Sequence, residues 1–390
     1  MSSPLILIKT LEVLESVFIY LFPLAIVTSI TFAGGVIYLG VFVFAVLLIL
    51  KQKGKFDLLN NSILGSVSTA FLIYILFFTL SRFVNSGASE GFNTFFRCCQ
   101  DFFVFLWVLL FTCKSGENQK RVKYAILLAS FISIAYGMLQ FVHLDFLHRQ
   151  SDIERLSGFH KNPYSYAGQL IVIFFFLLAN YTIAAVPCLF CILNTSERAV
   201  ILAVLVGVIF YFLFKRASVT KKDLASLAIL FSIPIIVTAF VNKKLLNRIK
   251  RVVISPKGYK LNVRFKLWDI ALSVWKKNLL FGVGKFPTVY HEIGANFPMQ
   301  VLTHAHNVYL QILVINGIVG LLAFIYLFFS ILRALFKNIR SNKYAICLIT
   351  IIVSFFIEGF FEYFWGDSEV RYLLIYFIGF VLGSVSAKDS

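Results

Sequence analysis

His304, His306 and Asn307 stand together just before a long apolar segment of the chain. The sequence holds six histidines in all, so two of them at this point are a marked concentration. Ionisable side chains at the mouth of a membrane helix are costly and usually serve chemistry or transport. Because a neutral imidazole takes a proton from a hydroxyl near neutral pH, the pair predicts a general base, with Asn307 orienting it or contacting a sugar. For either histidine alone, an interfacial residue with a satisfied hydrogen bond is the alternative.

As a metal site the histidine pair is weak. Residues two apart at the start of a helix point in different directions and do not share a helical face. His291 and Glu292 lie upstream in the same segment, but no third ligand stands at a suitable spacing. We therefore expect no metal and no other cofactor.

The composition places the chain in a membrane. Hydrophobic residues make up 59% of it and its mean hydropathy is +0.87, whereas a soluble domain has roughly 45–50% apolar residues. Apolar runs of about 17–25 residues recur from end to end, and each is long enough to cross a hydrocarbon core of about 30 Å. We expect an all-α polytopic membrane protein in which residues 1–390 form a single domain.

Hydropathy and charge breaks predict about 12 membrane helices. Their expected positions are near 13–31, 33–50, 61–80, 97–113, 122–142, 164–181, 182–194, 197–214, 223–241, 306–336, 343–362 and 370–386. The stretch that opens at Arg264 is expected to form an amphipathic helix outside the membrane.

The charges in the connections alternate from one side of the membrane to the other. One side carries four basic groups: Lys51, Lys53 and Lys55; Lys114, Lys120, Arg121 and Lys123; Lys215, Arg216, Lys221 and Lys222; Arg333, Lys337, Arg340 and Lys343. The positive-inside rule assigns these loops and both termini to the cytoplasm. The opposite, outer side then holds 81–96, 143–163, 194–198, 242–305 and 363–369, of which 242–305 is the main loop.

The main outer loop is more basic than the rule predicts. Nine basic residues and no acid lie between Lys243 and Lys266. Long loops are translocated regardless of charge, so the excess has an incidental explanation. The functional interpretation is an anionic partner at the outer face, either a lipid phosphate or a diphosphate-linked substrate.

Three arginines approach the same outer side from separate segments. Arg155 stands in the 143–163 loop, Arg198 at the entrance of a membrane helix, and Arg264 at the start of the amphipathic stretch. Guanidinium groups bind phosphate oxygens in pairs and stay charged at any working pH, so together they predict an anion site. The alternative is a set of snorkelling anchors, with Glu154 paired to Arg155 and Glu197 to Arg198.

Two further groups carry weaker signals. An acidic group falls at the outer end of the eleventh predicted helix and either balances the arginines or binds an acceptor: Glu358, Glu362, Asp367 and Glu369. The stretch 282–284 reads Gly-Val-Gly, but it lacks the remainder of a nucleotide-binding pattern, and we exclude that role.

The chain resembles the O-antigen ligase and polymerase superfamily in a series of motifs that follow the family's order over roughly residues 150–335. The motifs are Ser157-Gly158 with Asn162-Pro163, Ser196-Glu197-Arg198, Arg264-Phe265-Lys266-Leu267-Trp268, Phe281-Gly282-Val283-Gly284 and His304-Ala305-His306-Asn307-Val308-Tyr309-Leu310. His306-Asn307 with Leu310 and Gly317 reproduces the ligases' H-[NS]-x-x-L-x₆-G pattern, and Arg198 with Leu202 fits their R-x₃-L pattern. Asn316 departs from the acid that many relatives carry there.

This resemblance implies an O-antigen ligase, a metal-independent, inverting glycosyltransferase of the second membrane-embedded C type. It would act at the periplasmic face of a Gram-negative inner membrane. The donor would be an O-antigen chain on undecaprenyl diphosphate and the acceptor the lipid A–core, with membrane lipids as further partners and no nucleic acid. The resemblance makes His306 the base and Arg198 and Arg264 the ligands of the leaving diphosphate. Arg155, His304 and Asn307 are further members of the binding site.

Two other functions stay open at this point. An O-antigen polymerase, which joins two lipid-linked repeats, shares most of these motifs and the same chemistry. A transporter belongs to a different class and needs ionisable groups or broken helices near the bilayer midplane. Because the polar groups gather at one face and mid-helix positions are mostly Leu, Ile, Val and Phe, we rank it below both enzymes.

Overall fold

The computed structural model describes residues 3–50, 62–147, 155–215, 220–241, 259–286, 304–339 and 342–389. Some sequence predictions concern residues outside these ranges: the basic run from Lys243 to Lys257, the lysines of 51–55, Arg216, Arg340, Glu154, His291 and Glu292.

Thirteen α-helices form the described part of the chain, and that part contains no β-strand. They are α1 (Ser3–Thr28), α2 (Ile30–Leu50), α3 (Ser62–Ser86), α4 (Ala88–Cys113), α5 (Gly116–Phe141), α6 (Pro163–Asn180), α7 (Ala185–Thr195), α8 (Arg198–Lys215), α9 (Lys221–Val241), α10 (Tyr259–Lys277), α11 (Val308–Lys337), α12 (Lys343–Glu358) and α13 (Ser368–Asp389). Single 3₁₀ turns precede α7 and α13.

The all-α polytopic fold is confirmed. Nine helices of the described residues are long and apolar enough to cross a membrane. Each of the 12 helices predicted from hydropathy has a counterpart, and α10 corresponds to the amphipathic helix expected outside the membrane. Of the remaining three counterparts, α7 has 11 residues and α12 has 16, while the apolar stretch found in α9 covers Ala228–Thr238.

The expected outer loop 81–96 is helical instead. Helix α3 continues to Ser86, and α4 begins at Ala88, so Gly87 alone joins them. Its φ of 84° is the left-handed conformation that glycine adopts without strain, and it reverses the chain in one residue. The prediction was wrong because polar residues lower the hydropathy of 81–96 without disfavouring helical backbone.

The end of the bundle where α11 begins carries the histidines, and we call it the histidine end. There the Val308 amide donates to the Gly359 carbonyl at 2.8 Å, which joins α11 to the residues after α12. The Gln169 side chain of α6 donates to the Ile26 carbonyl of α1 at 3.1 Å. These contacts hold the start of α6 and α11 beside the ends of α1 and α12.

Basic residues of the groups predicted to be cytoplasmic lie at the opposite end of the bundle. Lys114, just after α4, pairs with Glu15 of α1 at 2.6 Å. Phe214 of α8 packs on Phe336 of α11 with ring centroids 5.8 Å apart, so Lys215 and the end of α11 lie together. This grouping agrees with the predicted alternation of charge. The assignment of this end to the cytoplasm remains a prediction of the positive-inside rule.

A buried ion pair joins α4 to α13 below the histidine end. Arg371 Nε lies 3.1 Å from a carboxylate oxygen of Asp101, and its Nη1 donates to the Trp365 carbonyl at 2.8 Å. Both side chains are buried. A charge removed from water needs such a partner, and losing one member of a buried pair costs about 3–5 kcal/mol. The pair was not apparent from the sequence, because its members lie 270 positions apart.

Helix α11 is broken at Gly317, where φ is 68° and ψ is −169°. The break leaves carbonyl and amide groups of α11 without helical partners, and the segment 278–286 supplies them. Amides of this segment donate to the carbonyls of α11: Val283 to Val314 at 2.7 Å and Gly284 to Ile315 at 2.9 Å. In return, the Ile318 amide donates to the Leu279 carbonyl at 2.9 Å.

The docked segment is made possible by glycines on both sides of the contact. A Cβ atom at Gly317 would lie 2.1 Å from the Leu280 carbonyl oxygen, and one at Gly282 would lie 2.3 Å from the Val314 carbonyl oxygen. Ser81 of α3 closes the arrangement by donating to the Phe281 carbonyl. Two glycine-containing motifs that are separate in the sequence are therefore the two halves of one backbone contact.

We expect Gly317→Ala to lower the free energy of unfolding by about 2 kcal/mol or more, since it combines a positive φ with a backbone clash. The measurement is thermal unfolding of the purified chain in detergent, followed by intrinsic fluorescence. Gly34→Ala is the matched control, because a Cβ atom there has nothing within 4 Å. Equal melting temperatures for the two variants would contradict the docking described above.

Candidate active site

The carboxylate of Glu362 is the centre of the polar cluster at the histidine end. His304 Nε2 lies 3.0 Å from Oε1, and His306 Nδ1 lies 3.0 Å from Oε2. The backbone amide of Tyr363 donates to Oε1 at 3.1 Å, and Arg264 Nη2 stands 3.9 Å from Oε2. One buried carboxylate thus collects two histidines from the segment before α11 and an arginine from the helix that contains Arg264.

The two histidines come together because neither of them belongs to a helix. Helix α11 begins at Val308, and His306 has a φ of 47°, in the left-handed region. This turn brings the imidazole rings to a centroid distance of 4.0 Å. The expectation that they point in different directions was wrong, since it assumed helical geometry from residue 306 onward.

Asn307 fixes the start of α11 directly beside the histidines. Its side-chain oxygen accepts the Leu310 amide at 3.0 Å, which caps the helix, and its Nδ2 donates to the Phe360 carbonyl at 3.2 Å. Both polar groups of this side chain therefore bind the protein itself. The structure supports a positioning role for Asn307, and its predicted contact with a sugar stays a prediction.

Helix α10 brings Arg264 to the cluster. Trp268 Nε1, one helical turn after Arg264, donates to the Ala305 carbonyl at 3.0 Å. The amide of the same Ala305 donates to the Gln311 side chain at 2.8 Å. Leu267 is buried in the small apolar cluster beneath this contact. Because 278–286 docks on α11 directly after α10, the helix is held both at Trp268 and just after its last residue.

The hydrogen bonds determine the charge and the tautomers in the cluster. Burial raises the pKa of Glu362, but the hydrogen bonds from His304 and His306 and their electrostatic interaction with the carboxylate outweigh it, so the net pKa lies well below that of an ordinary carboxyl. An ionised carboxylate only accepts hydrogen bonds. In the neutral imidazole, His306 must therefore carry its proton on Nδ1, which leaves Nε2 without a proton and basic.

His304, His306 and Glu362 are also the right residue types for a metal, and one ligand atom from each lies within 4.8 Å of the others. The third member was not recognised from the sequence because it lies 56 residues after His306. Both histidines contact the carboxylate at hydrogen-bond distance, and the guanidinium of Arg264 opposes a second cation. The contacts therefore favour a hydrogen-bonded group, and absence of a metal stays our prediction.

Arg155 and Arg198 are placed differently from Arg264. Arg155 forms an ion pair with Glu197 and donates to the Thr195 carbonyl at 3.0 Å. The pairing of Arg198 with Glu197 considered from the sequence is therefore wrong. The turn at Ser196, with φ of 60°, directs the two neighbours apart. Arg155 thus ties the 155–162 segment to the start of α8.

Arg198 stands exposed at the start of α8, and the described residues show no ion pair for it. Gly207 of α8 packs on Ser354 of α12, and the nine residues back to Arg198 span about 14 Å of helix. This places Arg198 at the histidine end, beyond the last turn of α12. The structure does not bring Arg198 into contact with Glu362, so its role in the site stays a prediction.

The other acids of the predicted group line the next segment. Asp367 accepts a hydrogen bond from Ser165 at 3.1 Å, and Glu369 lies 4.0 Å from His160. Burial raises the pKa of Asp367 to about 7, with the nearby Glu369 acting in the same direction. Asp367 therefore holds a proton at pH values where an ordinary aspartate does not.

Residues 183–325 match the family model described as O-antigen ligase. This match supports the superfamily that the sequence motifs predicted. The matched segment contains Arg198, Arg264, His304 and His306, and it ends before Glu362. No curated protein matches the chain.

We expect Asp367→Asn to flatten the dependence of stability on pH. Since folding raises the pKa of Asp367 from 3.8 to about 7, the folded state keeps a proton that the unfolded chain has released, and stability falls as pH rises through this interval. The melting temperature of the wild type should fall between about pH 5 and about pH 8, and that of the variant should fall less. Asp269→Asn, at an exposed position, is the control; equal slopes in wild type and Asp367→Asn would refute the assignment.

Proposed function

We propose that this chain, a member of the O-antigen ligase superfamily, is an O-antigen ligase of lipopolysaccharide biosynthesis. It transfers O-antigen polysaccharide from undecaprenyl diphosphate to a sugar hydroxyl of the lipid A–core. The histidine end faces the periplasm of a Gram-negative inner membrane, and both termini are cytoplasmic. The basic residues gathered at the opposite end support this orientation through the positive-inside rule.

The observation that carries the proposal is the cluster of His306, Glu362 and Arg264 at the mouth of α11. A general base needs a fixed tautomer and an orienting partner, and Glu362 supplies both at 3.0 Å. A departing diphosphate needs a cation near the reacting centre, and Arg264 stands next to the same carboxylate. The cluster lies at the end of the bundle, where groups that are attached to lipid reach it from the membrane surface.

The reaction is a single displacement. His306 Nε2 takes the proton of the acceptor hydroxyl as its oxygen attacks the anomeric carbon of the donor sugar. The bond between that carbon and the phosphate oxygen breaks, and undecaprenyl diphosphate leaves with the bonding electrons. Attack opposite to the leaving group inverts the anomeric centre. Arg264 and Arg198 bind the diphosphate and stabilise the charge that develops on it.

The alternative is an O-antigen polymerase, in which the acceptor is a second lipid-linked repeat. The family match covers both activities, and the cluster fits either acceptor hydroxyl. Purified protein supplied with lipid-linked glycan and lipid A–core separates them. Glycan attached to lipid A–core supports the ligase, whereas longer glycans that stay on undecaprenyl diphosphate support the polymerase.

We expect His306→Asn to lower kcat for glycan transfer by about 100-fold or more, since it removes the base. Asparagine is the chosen replacement because it adopts the left-handed backbone of this position with little strain. His143→Asn is matched to it, since His143 is exposed and has a φ of 62°. A kcat that is unchanged in His306→Asn removes this residue from the chemistry.

We expect Glu362→Gln to lower kcat roughly 100-fold, because the orienting charge is lost and glutamine keeps one acceptor oxygen where the carboxylate offers two to the histidines. Both KM values should stay within about threefold, since the carboxylate positions the base instead of binding substrate. Glu369→Gln, at the same end of the bundle, is the control. A rise in KM with kcat unchanged would mean that Glu362 contacts substrate and does not orient His306.

A further inference from the structure

Arg82 and Arg97 form a second cationic group at the histidine end. Arg82 lies near the end of α3 and is half-buried, and Arg97 lies on α4 and is exposed. Among the described residues, neither of them has an ion pair or a side-chain hydrogen bond, whereas Arg155, Arg264 and Arg371 all face carboxylates. Glu90 is near enough for its charge to act on Arg82 but does not pair with it.

Contacts on both helices place these arginines next to the active-site cluster. Ser81, the neighbour of Arg82, donates to the Phe281 carbonyl in the segment that docks on α11. Phe83 packs on Phe92 with ring centroids 5.1 Å apart, which holds the end of α3 against α4. The two arginines therefore flank the junction between α3, α4 and the docked segment.

Tyr363 separates the second cationic group from the histidines. Its ring centroid lies 6.3 Å from that of His304. Burial raises the pKa of Tyr363, and Arg371, Arg82 and Arg97 oppose that rise, so both surface arginines are electrostatic neighbours of this ring. Positive charge thus reaches the cluster from separate elements, from α10 at Arg264 and from α3 and α4 at Arg82 and Arg97.

The surface around Arg82 and Arg97 is apolar. Val84, Phe92 and Phe96 expose more than half of their side-chain surface beside these arginines. Cations surrounded by exposed apolar side chains at the end of membrane helices fit an amphiphilic anion, whose charge meets the guanidinium and whose chains meet the apolar surface. A lipid phosphate has this chemistry, and a free sugar or a soluble anion does not.

We propose that Arg82 and Arg97 bind the phosphate of the lipid-anchored acceptor. This inference rests on the proposed function, in which two lipid-anchored anions must approach one base. Arg264 serves the donor diphosphate on one side of the histidines. The cationic group beyond Tyr363 serves the acceptor on the other side, so the two phosphates do not compete for one arginine.

The test compares KM for donor and acceptor in the full chain reconstituted with undecaprenyl-diphosphate-linked glycan and lipid A–core. The double variant Arg82→Gln/Arg97→Gln should raise KM for the acceptor about tenfold or more and leave KM for the donor within about twofold. Arg264→Gln should raise KM for the donor. Arg333→Gln, an exposed arginine on the last part of α11, should change neither.

Two further arms distinguish lost phosphate binding from lost folding and from a general effect of anionic lipid. The wild type should bind lipid A–core without its phosphates about tenfold less tightly than it binds intact lipid A–core. The double variant should bind both forms of lipid A–core equally tightly. Arg82→Lys/Arg97→Lys retains the charge and should restore most of the acceptor affinity if the double variant is folded. Each kinetic assay is repeated in phosphatidylcholine and in phosphatidylglycerol bilayers.

Several results overturn the proposal. These are an unchanged KM for the acceptor, an equal rise for donor and acceptor, or an effect that appears only in phosphatidylglycerol. The last result assigns the arginines to bulk anionic phospholipid. If the wild type transfers no glycan at all, this result refutes the proposed function, and the subsite is refuted with it. Wild-type transfer with no change in the double variant refutes the subsite and leaves the function intact.

Discussion

The backbone contact between the segment 278–286 and the broken helix α11 is the constraint on which the candidate site depends. It fixes α10 and α11 relative to each other through amide–carbonyl hydrogen bonds of 2.7 to 2.9 Å. The apolar cluster of Leu267, Ala271 and Val314 adds side-chain packing between the same two helices. Backbone groups in a membrane must be satisfied, and the break at Gly317 becomes tolerable only because Gly282 and its neighbours provide partners.

A second set of contacts orients the side chains of the site. The histidines sit in a short non-helical segment between the docked region and α11, where a left-handed residue and an asparagine cap determine their directions. Glu362 then collects these groups from the far side, on the segment after α12. Backbone geometry thus determines where each side chain of the site points, and the carboxylate of Glu362 then binds it. In this way the buried polar atoms of the network keep hydrogen-bond partners.

Much of the fold follows from the sequence, because a bilayer leaves an apolar stretch of this length few alternatives to a helix. His306 and Arg264 were accessible through their motifs. Glu362 was recognised only as one of four acids, since nothing in its local sequence indicates a contact with residues 56 positions away. The helical region 81–96 was misassigned because its polar residues resemble a loop, and Arg82 and Arg97 were overlooked with it. The positive φ of His306 also leaves no mark in composition or periodicity.

The break at Gly317 divides α11 into two mechanical parts. The part before the break, Val308 to Asn316, has nine residues and spans only about 14 Å, and the longer part continues to Lys337. The docked segment is bonded to both parts. A bilayer that thickens, thins or tilts the long part acts on it through a joint instead of a continuous rod. We expect this joint to reduce the extent to which such deformations reach the histidines. Joining the two parts into one uninterrupted helix would make the alignment of the site sensitive to the lipid that surrounds it.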